Sequence, residues 1–320
     1  MRIYRSLEEA TGNFGPCALS IGNFDGVHLG HQALLARVGA AAAEKGLRPS
    51  ALTFSPHPTS VVAPHRCPRL LSTVEERCRW MEQAGIEQVL ILPFDKALAE
   101  LTPEEFVRRI LVEALDVKAA FIGENFRFGH KQSGDAALLE RLGQTYGFQA
   151  SGVGAVAWRG ELVSSSGIRR LLEGGKVMKA ARMLGRCHAL SGSVIRGHGV
   201  GSRQTVPTLN LSTTSEVLPA RGVYVTHTTE PATKRQWRSI SNIGFRPTFS
   251  GDSLSIETYL LDPLENETPE AIRVSFAHRL RDERRFESAE ELKSQILHDV
   301  AQASEWHRRY GRLPARYTKS

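Results

Sequence analysis

The chain has 320 residues, of which 41% are hydrophobic, and a formal net charge of +7 at pH 7. This length suffices for two ordinary domains, and the apolar content favours packed cores over disorder. Lys and Arg are scattered rather than grouped, which favours nucleotide-sized anionic ligands over a nucleic-acid partner. No apolar run approaches the roughly 20 residues that span a bilayer, so no membrane partner is expected.

The four cysteines are widely spaced and include no Cys-x-x-Cys pair. This spacing indicates neither a zinc site nor a disulfide framework, and it favours a reducing compartment. The amino-terminal residues lack the apolar core of a signal peptide. We therefore expect a cytoplasmic protein.

The first half alternates apolar strands with helices. In chain order the predicted elements are strand 18–21, helix 29–45, strand 51–54, helix 74–84, strand 89–92, helix 103–115, strand 119–122, helix 136–146 and strand 153–156. Helix 74–84 is expected to begin with a capping box of Ser72 and Glu75, and helix 103–115 with one of Thr102 and Glu105. The alternation predicts an α/β fold with a doubly wound parallel sheet that binds ligands at the carboxyl ends of its strands.

The second half changes to short β-rich segments separated by Gly, Pro and polar turns. The predicted elements are strands 189–195, 222–226, 238–243 and 255–261, followed by a helix over 288–310. They favour a small antiparallel β-barrel domain with a C-terminal helix. A helical pair at 168–172 and 177–184 precedes the change, which places the domains at 1–185 and 186–320.

The segment Gly22-Asn-Phe-Asp-Gly-Val-His-Leu-Gly-His31 joins the first strand to the first helix. The positive end of a helix dipole attracts anions, and glycines allow the backbone to approach them closely. His28 and His31 add donors to such a phosphate site. Alone, a His-x-x-His pair is equally typical of a metal half-site or of two surface imidazoles.

Three further segments follow predicted strands or open a helix. Thr53-Phe-Ser-Pro-His57-Pro58 holds an imidazole in a rigid turn, although such a segment can be only a turn. Gly123-Glu-Asn-Phe-Arg-Phe-Gly-His-Lys-Gln-Ser-Gly-Asp135 carries two phenyl groups that either cover a flat ring system or pack into the core. Ser164-Ser-Ser-Gly-Ile-Arg169 is either a helix cap or a lid over pyrophosphate.

The second half carries a Pro-Thr-x-Asn turn after a glycine-rich loop. The Thr208 hydroxyl and the Asn210 amide can coordinate Mg²⁺ and phosphate oxygens from one rigid corner. Glu257 lies on an apolar strand, where it is either a solvent-facing residue or the general base for a substrate hydroxyl.

The first-half segments resemble, in order and spacing, the FMN adenylyltransferase module of prokaryotic bifunctional riboflavin kinase/FAD synthetases, which belongs to the HxGH nucleotidylyltransferase superfamily. The resemblance implies catalytic roles for His28 and His31 at the ATP phosphates. It implies that ATP contacts Gly22, Phe24, His28, Gly30, His31, Asn125, Ser164, Ser165 and Arg169. It implies that flavin contacts His57, Pro58, Asn125, Phe126, Arg127 and Phe128.

The second-half segments resemble the riboflavin kinase module of the same family over residues 186–305. The resemblance implies that Thr208 and Asn210 bind Mg²⁺ with ATP and that Glu257 deprotonates the ribityl 5′-hydroxyl. Further implied contacts are Gly197, Gly199 and Gly201 for ATP, and Arg281, Glu283 and Phe286 for flavin. The chain departs from the usual family pattern at Val200, Thr205 and Val206.

The favoured function is flavin cofactor synthesis, in which riboflavin and ATP give FMN, and FMN and a second ATP give FAD and pyrophosphate. One alternative is a monofunctional FMN adenylyltransferase with an impaired kinase domain, which Val200 and Thr205 suggest. Another is an RNA-binding protein, because residues 307–316 are basic. The expected partners are riboflavin, FMN and ATP, and the sequence leaves room for a weak homo-oligomer.

Overall fold

The computed structural model describes residues 1–195, 208–248, 251–264 and 267–311. The chain forms two compact units, Met1–Ser165 and Ser166–Ser320. No helix in the described part of the chain is both long and apolar enough to cross a membrane. All four cysteines are free thiols, as their spacing predicted.

The first unit contains a six-stranded parallel sheet, as the alternation predicted. Its strands are β1 (Arg2–Tyr4), β2 (Cys17–Ile21), β3 (Arg48–Ser55), β4 (Gln88–Pro93), β5 (Val117–Gly123) and β6 (Gln149–Val153), and β7 (Ala157–Trp158) and β8 (Glu161–Leu162) form a separate hairpin. The order β1-β4-β3-β2-β5-β6 places β3 and β5 on either side of β2. The carboxyl ends of these three strands are therefore adjacent, and strand order reverses there, which is where doubly wound sheets bind ligands.

Helices connect the strands and bury their apolar faces against the sheet. They are α1 (Leu7–Ala10), α2 (Leu29–Lys45), α3 (Pro58–Val62), α4 (Val74–Gln83), α5 (Lys96–Glu100), α6 (Pro103–Phe106) and α7 (Ala136–Tyr146). After α6 the same helix continues as π-helix over Val107–Ala114. One apolar cluster, on one side of the sheet, includes Leu19, Leu52 and Leu111, and a second includes Leu35, Val38 and Met81.

Two local predictions in this unit are wrong. The capping box of α4 is formed by Thr73 and Glu76 instead of Ser72 and Glu75, because the Ser72 hydroxyl is bonded elsewhere. The last strand of the sheet is Gln149–Val153 rather than 153–156, since its pairing with β5 begins at Gln149. The capping box of Thr102 and Glu105 is confirmed.

The second unit is a closed six-stranded barrel with helices packed outside it. Its elements are α8 (Ser165–Glu173), α9 (Val177–Leu184), β9 (His188–Ile195), β10 (Thr208–Thr213), β11 (Gly222–Thr229), β12 (Gln236–Thr248), β13 (Gly251–Leu260), β14 (Ala271–Arg281) and α10 (Ala289–Tyr310). The strand order is β10-β13-β12-β11-β14-β9, closed by pairing of β9 with β10. Five strands were not predicted from the sequence, namely β1, β7, β8, β10 and β14.

The compact units divide at Ser165/Ser166, earlier than the predicted boundary at 185/186. The difference arises from α9, which packs against β9 and β14 of the barrel. Ala181 of α9 shares a small buried cluster with Cys187 and Ala277. The boundary at 185/186 stays a prediction.

Candidate active sites

The loop between β2 and α2 brings the two predicted histidines together. His28 is the N-cap of α2, and its Nδ1 accepts a hydrogen bond of 3.4 Å from the backbone N–H of His31. The two imidazole rings stack with 3.7 Å between their centroids. Because Nδ1 of His28 accepts, the neutral ring carries its proton on Nε2, which is then a donor. Because His28 caps α2 and His31 lies in its first turn, both imidazoles are at the positive end of the α2 dipole.

A metal half-site is not supported at this position. No group of three or more His, Cys, Asp or Glu side chains that could hold a metal ion occurs among the described residues. Two imidazoles alone leave a metal ion without its usual third protein ligand.

Gly30 and Phe24 support the histidine pair. A Cβ at Gly30 would lie 3.1 Å from Cε1 of His28, so a larger residue there requires the His28 ring to shift. Phe24 is fully buried and meets the edge of the His31 ring at 5.3 Å between centroids. Its side chain is thus placed to support His31, and the ATP contact predicted for Phe24 stays a prediction. Gly22 donates its N–H to Leu52.

The turn after β3 reaches the same edge of the sheet. His57 caps α3, because its Nδ1 accepts from the N–H of Thr59 at 3.2 Å. Its Nε2 lies 3.2 Å from Nδ2 of Asn23 in the loop after β2. Pro58 is the first residue of α3. The structure therefore joins two of the predicted segments through Asn23, a residue that the sequence analysis did not select.

The loop after β5 divides its two phenylalanines between the two predicted alternatives. Phe128 is 7% exposed and packs at 5.8 Å from Phe106, with its ring against Gly134. Phe126 is half-buried, and Asn125 and Arg127 are exposed. Phe128 therefore packs into the core, whereas Asn125, Phe126 and Arg127 remain accessible. The flavin contacts predicted for this loop stay predictions.

The serine segment, residues 164–169, lies beside the loop between β2 and α2. This loop, residues 22–28, is called the phosphate loop or histidine loop below. Ser165 begins α8, and its hydroxyl donates to the backbone carbonyl of Asp25 at 3.0 Å. Ser164 directly precedes it, and Arg169 lies about one turn further along α8. The structure thus brings Ser165 to the loop that carries His28.

In the second unit, strand register places Glu257 between two amides. Glu257 on β13 lies directly opposite Asn210 on β10 and opposite Asn242 on β12. Directly opposed residues of antiparallel strands project from the same face of the sheet. The Ser255 hydroxyl donates to Oε1 of Glu257 at 3.1 Å. Asn242 was missed because only register, and no local pattern, brings it to Glu257.

A cavity of about 310 Å³ opens beside Glu257. This volume is at the lower end of the size range of small-molecule sites. The cavity lies between strands of the barrel, the loop after β14 and the first half of α10. Five predicted site residues line it, namely Thr208, Glu257, Arg281, Glu283 and Phe286. The apolar lining comes from Val223, Ile240, Tyr259, Leu292, Ile296 and Val300. Leu292, Ile296 and Val300 lie on one face of α10, and this face therefore lines the cavity.

A partly buried ion pair fixes the loop wall of this cavity to α10. Arg281 donates to both oxygens of Asp299, with the shortest N–O distance 2.7 Å. Asp299 is 3% exposed and also accepts from Gln295 at 2.6 Å. The Arg284 guanidinium lies 4.7 Å from the centroid of the Phe286 ring. Asp299 was missed, although an acidic residue on the apolar face of a helix was a usable signal.

Several predicted residues fall outside the described residues. They are Gly197, Gly199, Gly201, Val200, Thr205 and Val206. In the basic carboxyl-terminal segment, the described residues Arg308 and Arg309 pair with Glu305, and His307 is buried. This pairing is typical of a solvated helix end.

Comparison with known proteins decides the family. Residues 11–167 match the family described as FAD synthetase, and residues 184–307 match the family described as riboflavin kinase. The bifunctional riboflavin kinase/FMN adenylyltransferase of Escherichia coli K12 is 34% identical over 91% of this chain and 92% of its own. That of Pseudomonas fluorescens is 34% identical over 95% and 97%. The chain belongs to the bifunctional riboflavin kinase/FMN adenylyltransferase family.

A solved structure shares the fold over nearly the whole chain. It is titled as the crystal structure of a macrolide-efflux protein from Streptococcus pneumoniae, and it covers 95% of this chain and 98% of its own, with 25% identity and a TM-score of 0.85. The description as a macrolide-efflux protein is said of that protein alone.

As a member of this family, the chain combines a kinase and a nucleotidyltransferase. The two matched segments place the Glu257 cavity in the riboflavin kinase segment and the His28–His31 pair in the FAD synthetase segment. Nothing in the comparisons supports an impaired kinase domain. The RNA-binding alternative has no support from the matched families.

Proposed function

We propose that this chain converts riboflavin to FMN at the Glu257 cavity and FMN to FAD at the His28–His31 loop. The observation that carries the proposal is the register of Glu257, which stands between Asn210 and Asn242 at the wall of a cavity of ligand size. A carboxylate beside two amides suits proton abstraction from a hydroxyl next to a bound phosphate chain.

In the kinase reaction, Glu257 accepts the proton of the ribityl 5′-hydroxyl as its oxygen attacks the γ-phosphorus of ATP. The bond from this phosphorus to the bridging oxygen breaks, and ADP leaves. The Ser255 hydroxyl bonds one carboxylate oxygen and thereby orients the other toward the substrate. The apolar residues of α10, with Arg281, Glu283 and Phe286, enclose the flavin ring.

Mg²⁺ fits the donors of this site. The Thr208 hydroxyl, the Asn210 amide and the Glu257 carboxylate lie on adjacent barrel strands and offer oxygen ligands, which Mg²⁺ prefers. When bound with ATP, Mg²⁺ neutralises charge on the phosphates. Thr208 and Asn210 would hold the Mg²⁺, while Glu257 would accept the proton.

In the adenylyl transfer, a phosphate oxygen of FMN attacks the α-phosphorus of ATP in line, and the bond to pyrophosphate breaks. No covalent bond to the enzyme is needed, so catalysis rests on positioning and on charge stabilisation. His28 and His31 donate to the phosphates, and Ser164, Ser165 and Arg169 contact ATP. His57, Pro58, Phe126 and Arg127 border the flavin, and Asn125 contacts the nucleotide.

The same proposal includes a cytoplasmic location and a weak homo-oligomer. Free thiols in all four cysteines suit a reducing compartment. Neither nucleic acid nor membrane is required by the two reactions.

The function is tested by incubating the protein with riboflavin, ATP and Mg²⁺ and separating the flavins by chromatography. We expect FMN first and FAD later. The Glu257→Gln variant should lose FMN formation by at least about 100-fold, because the amide cannot accept the proton. It should convert supplied FMN to FAD at the wild-type rate.

Formation of FAD only from supplied FMN by the wild-type chain would favour the monofunctional alternative. Loss of both reactions in a folded Glu257→Gln variant would contradict two separate sites.

A further inference from the structure

The carboxylate of Asp25 holds the phosphate loop to the segment before α4. Asp25 is 2% exposed, and it accepts from the N–H of Leu71 at 2.9 and 3.1 Å and from the N–H of Ser72 at 3.2 Å. A buried carboxylate is costly unless hydrogen bonds compensate its charge. These bonds therefore fix the position of Asp25 relative to a segment 46 residues away in sequence.

The Ser72 hydroxyl closes a ring of hydrogen bonds with the same loop. It donates to Oδ1 of Asp25 at 3.2 Å and accepts from the N–H of Gly26 at 2.9 Å. Gly26 has a φ of +77°, which a side chain would adopt only with strain. Ser72 thus bonds both the Asp25 carboxylate and the backbone of Gly26, which lies two residues before His28.

Arg77 of α4 holds the other end of the loop. Its Nη1 donates to the carbonyl of Asn23 at 2.8 Å, and it lies 3.4 Å from the Thr53 hydroxyl. Arg77 is 3% exposed, and burial lowers the pKa of its guanidinium while the Asp25 carboxylate opposes this shift. Asp25 and Arg77, two buried groups of opposite charge, therefore fix the conformation of this short loop.

Asp25 also contacts the serine segment, because its carbonyl accepts from the Ser165 hydroxyl at 3.0 Å. Within the first unit, one residue thereby joins the histidine loop, the segment before α4 and Ser165. The side chains of Asp25, Ser72 and Arg77 can fix the loop in this way without touching a substrate.

We propose that Asp25, Ser72 and Arg77 are positioning residues for adenylyl transfer, which hold the loop so that His28 and His31 meet the departing pyrophosphate in line. This inference rests on the function proposed above for the histidine pair. Misplacing a reacting group by about 1 Å can lower a rate about 100-fold. Loosening the loop should therefore lower kcat more than it weakens FMN binding.

The test compares Ser72→Ala with Thr73→Ala. Both variants remove one hydroxyl next to the start of α4, but the Thr73 hydroxyl only caps the helix, whereas that of Ser72 bonds the loop. We expect Ser72→Ala to lower kcat for conversion of FMN to FAD by at least about tenfold, with KM for FMN within about twofold. Thr73→Ala should keep kcat, and both should phosphorylate riboflavin at the wild-type rate.

Hydrogen exchange supplies a second readout. Amides 22–28 should exchange faster in Ser72→Ala than in the wild type and in Thr73→Ala. Unchanged exchange and unchanged kcat in Ser72→Ala would overturn the proposal, and so would an equal loss of kcat in Thr73→Ala. A wild-type chain that makes no FAD from FMN would instead refute the proposed function.

Discussion

At the scale of single residues, short sequence motifs predicted many of the candidate site residues. Glu257, Thr208, Arg281 and Phe286 were selected from sequence, and they line one cavity. Burial could not be read in the same way. Phe126 and Phe128 are two residues apart in an irregular loop, and only packing against Phe106 decides which ring enters the core.

Gly30 permits a prediction at this scale. Gly30→Ala should slow FAD formation at least about tenfold, because its Cβ would lie 3.1 Å from the His28 ring and must displace it. Alanine is the better helix former, so the free energy of unfolding should not fall by more than about 1 kcal/mol. Steady-state rates and thermal unfolding measure the two effects.

Gly39→Ala is the matched control, since a Cβ there meets nothing within 4 Å in the same helix. It should raise stability by about 0.5–1 kcal/mol and leave both activities unchanged. An equal loss of FAD formation in the two variants would contradict the role given to the His28 ring.

At the scale of elements, the sequence pattern predicted α2, α7 and α9 with the bounds that the structure shows. Strands were harder to predict. β1 has three residues and buries only Tyr4, and the polar and charged residues of β14 interrupt its apolar pattern. The wrong capping box at α4 has a tertiary cause, because Ser72 serves the phosphate loop instead of the helix.

The link between the loop after β14 and α10 gives a prediction for the kinase. Asp299→Asn should raise KM for riboflavin about tenfold, because Arg281 then loses its carboxylate partner and the cavity wall loosens. Because Arg281 is partly exposed, removing its carboxylate partner should also cost about 1–3 kcal/mol of unfolding free energy. Kinase kinetics and denaturant unfolding measure these changes.

Asp262→Asn is the control, since Asp262 pairs with the half-exposed Arg238 and does not line the cavity. Its KM for riboflavin should stay at the wild-type value. A normal KM in Asp299→Asn would show that Arg281 holds the wall without its partner.

At the scale of the whole molecule, stability should depend on pH through buried histidines of the second unit. Burial lowers the pKa of His188 to about 4 and that of His227 to about 4. The unfolded chain binds these protons near pH 6.5, whereas the folded chain excludes them. The free energy of unfolding should therefore be fully retained above pH 6.5 and should fall as pH drops toward 4.

Thermal unfolding between pH 7 and pH 4 tests this expectation. His227→Phe keeps a ring against His307 and removes one titrating group, so its midpoint should fall less steeply with pH. An equally steep fall in this variant would assign the pH dependence to other groups.

Periodicity, caps and short strings in the sequence predicted the alternation of strands and helices, several helix ends and candidate polar residues for the two sites. The neighbours of those residues depend on the tertiary structure, in which Asn242 flanks Glu257, Asp299 holds Arg281, and Asp25 and Arg77 support the histidine loop. Those contacts join residues 15 to 54 positions apart. Strand register and long-range packing set such contacts, and no local pattern records them.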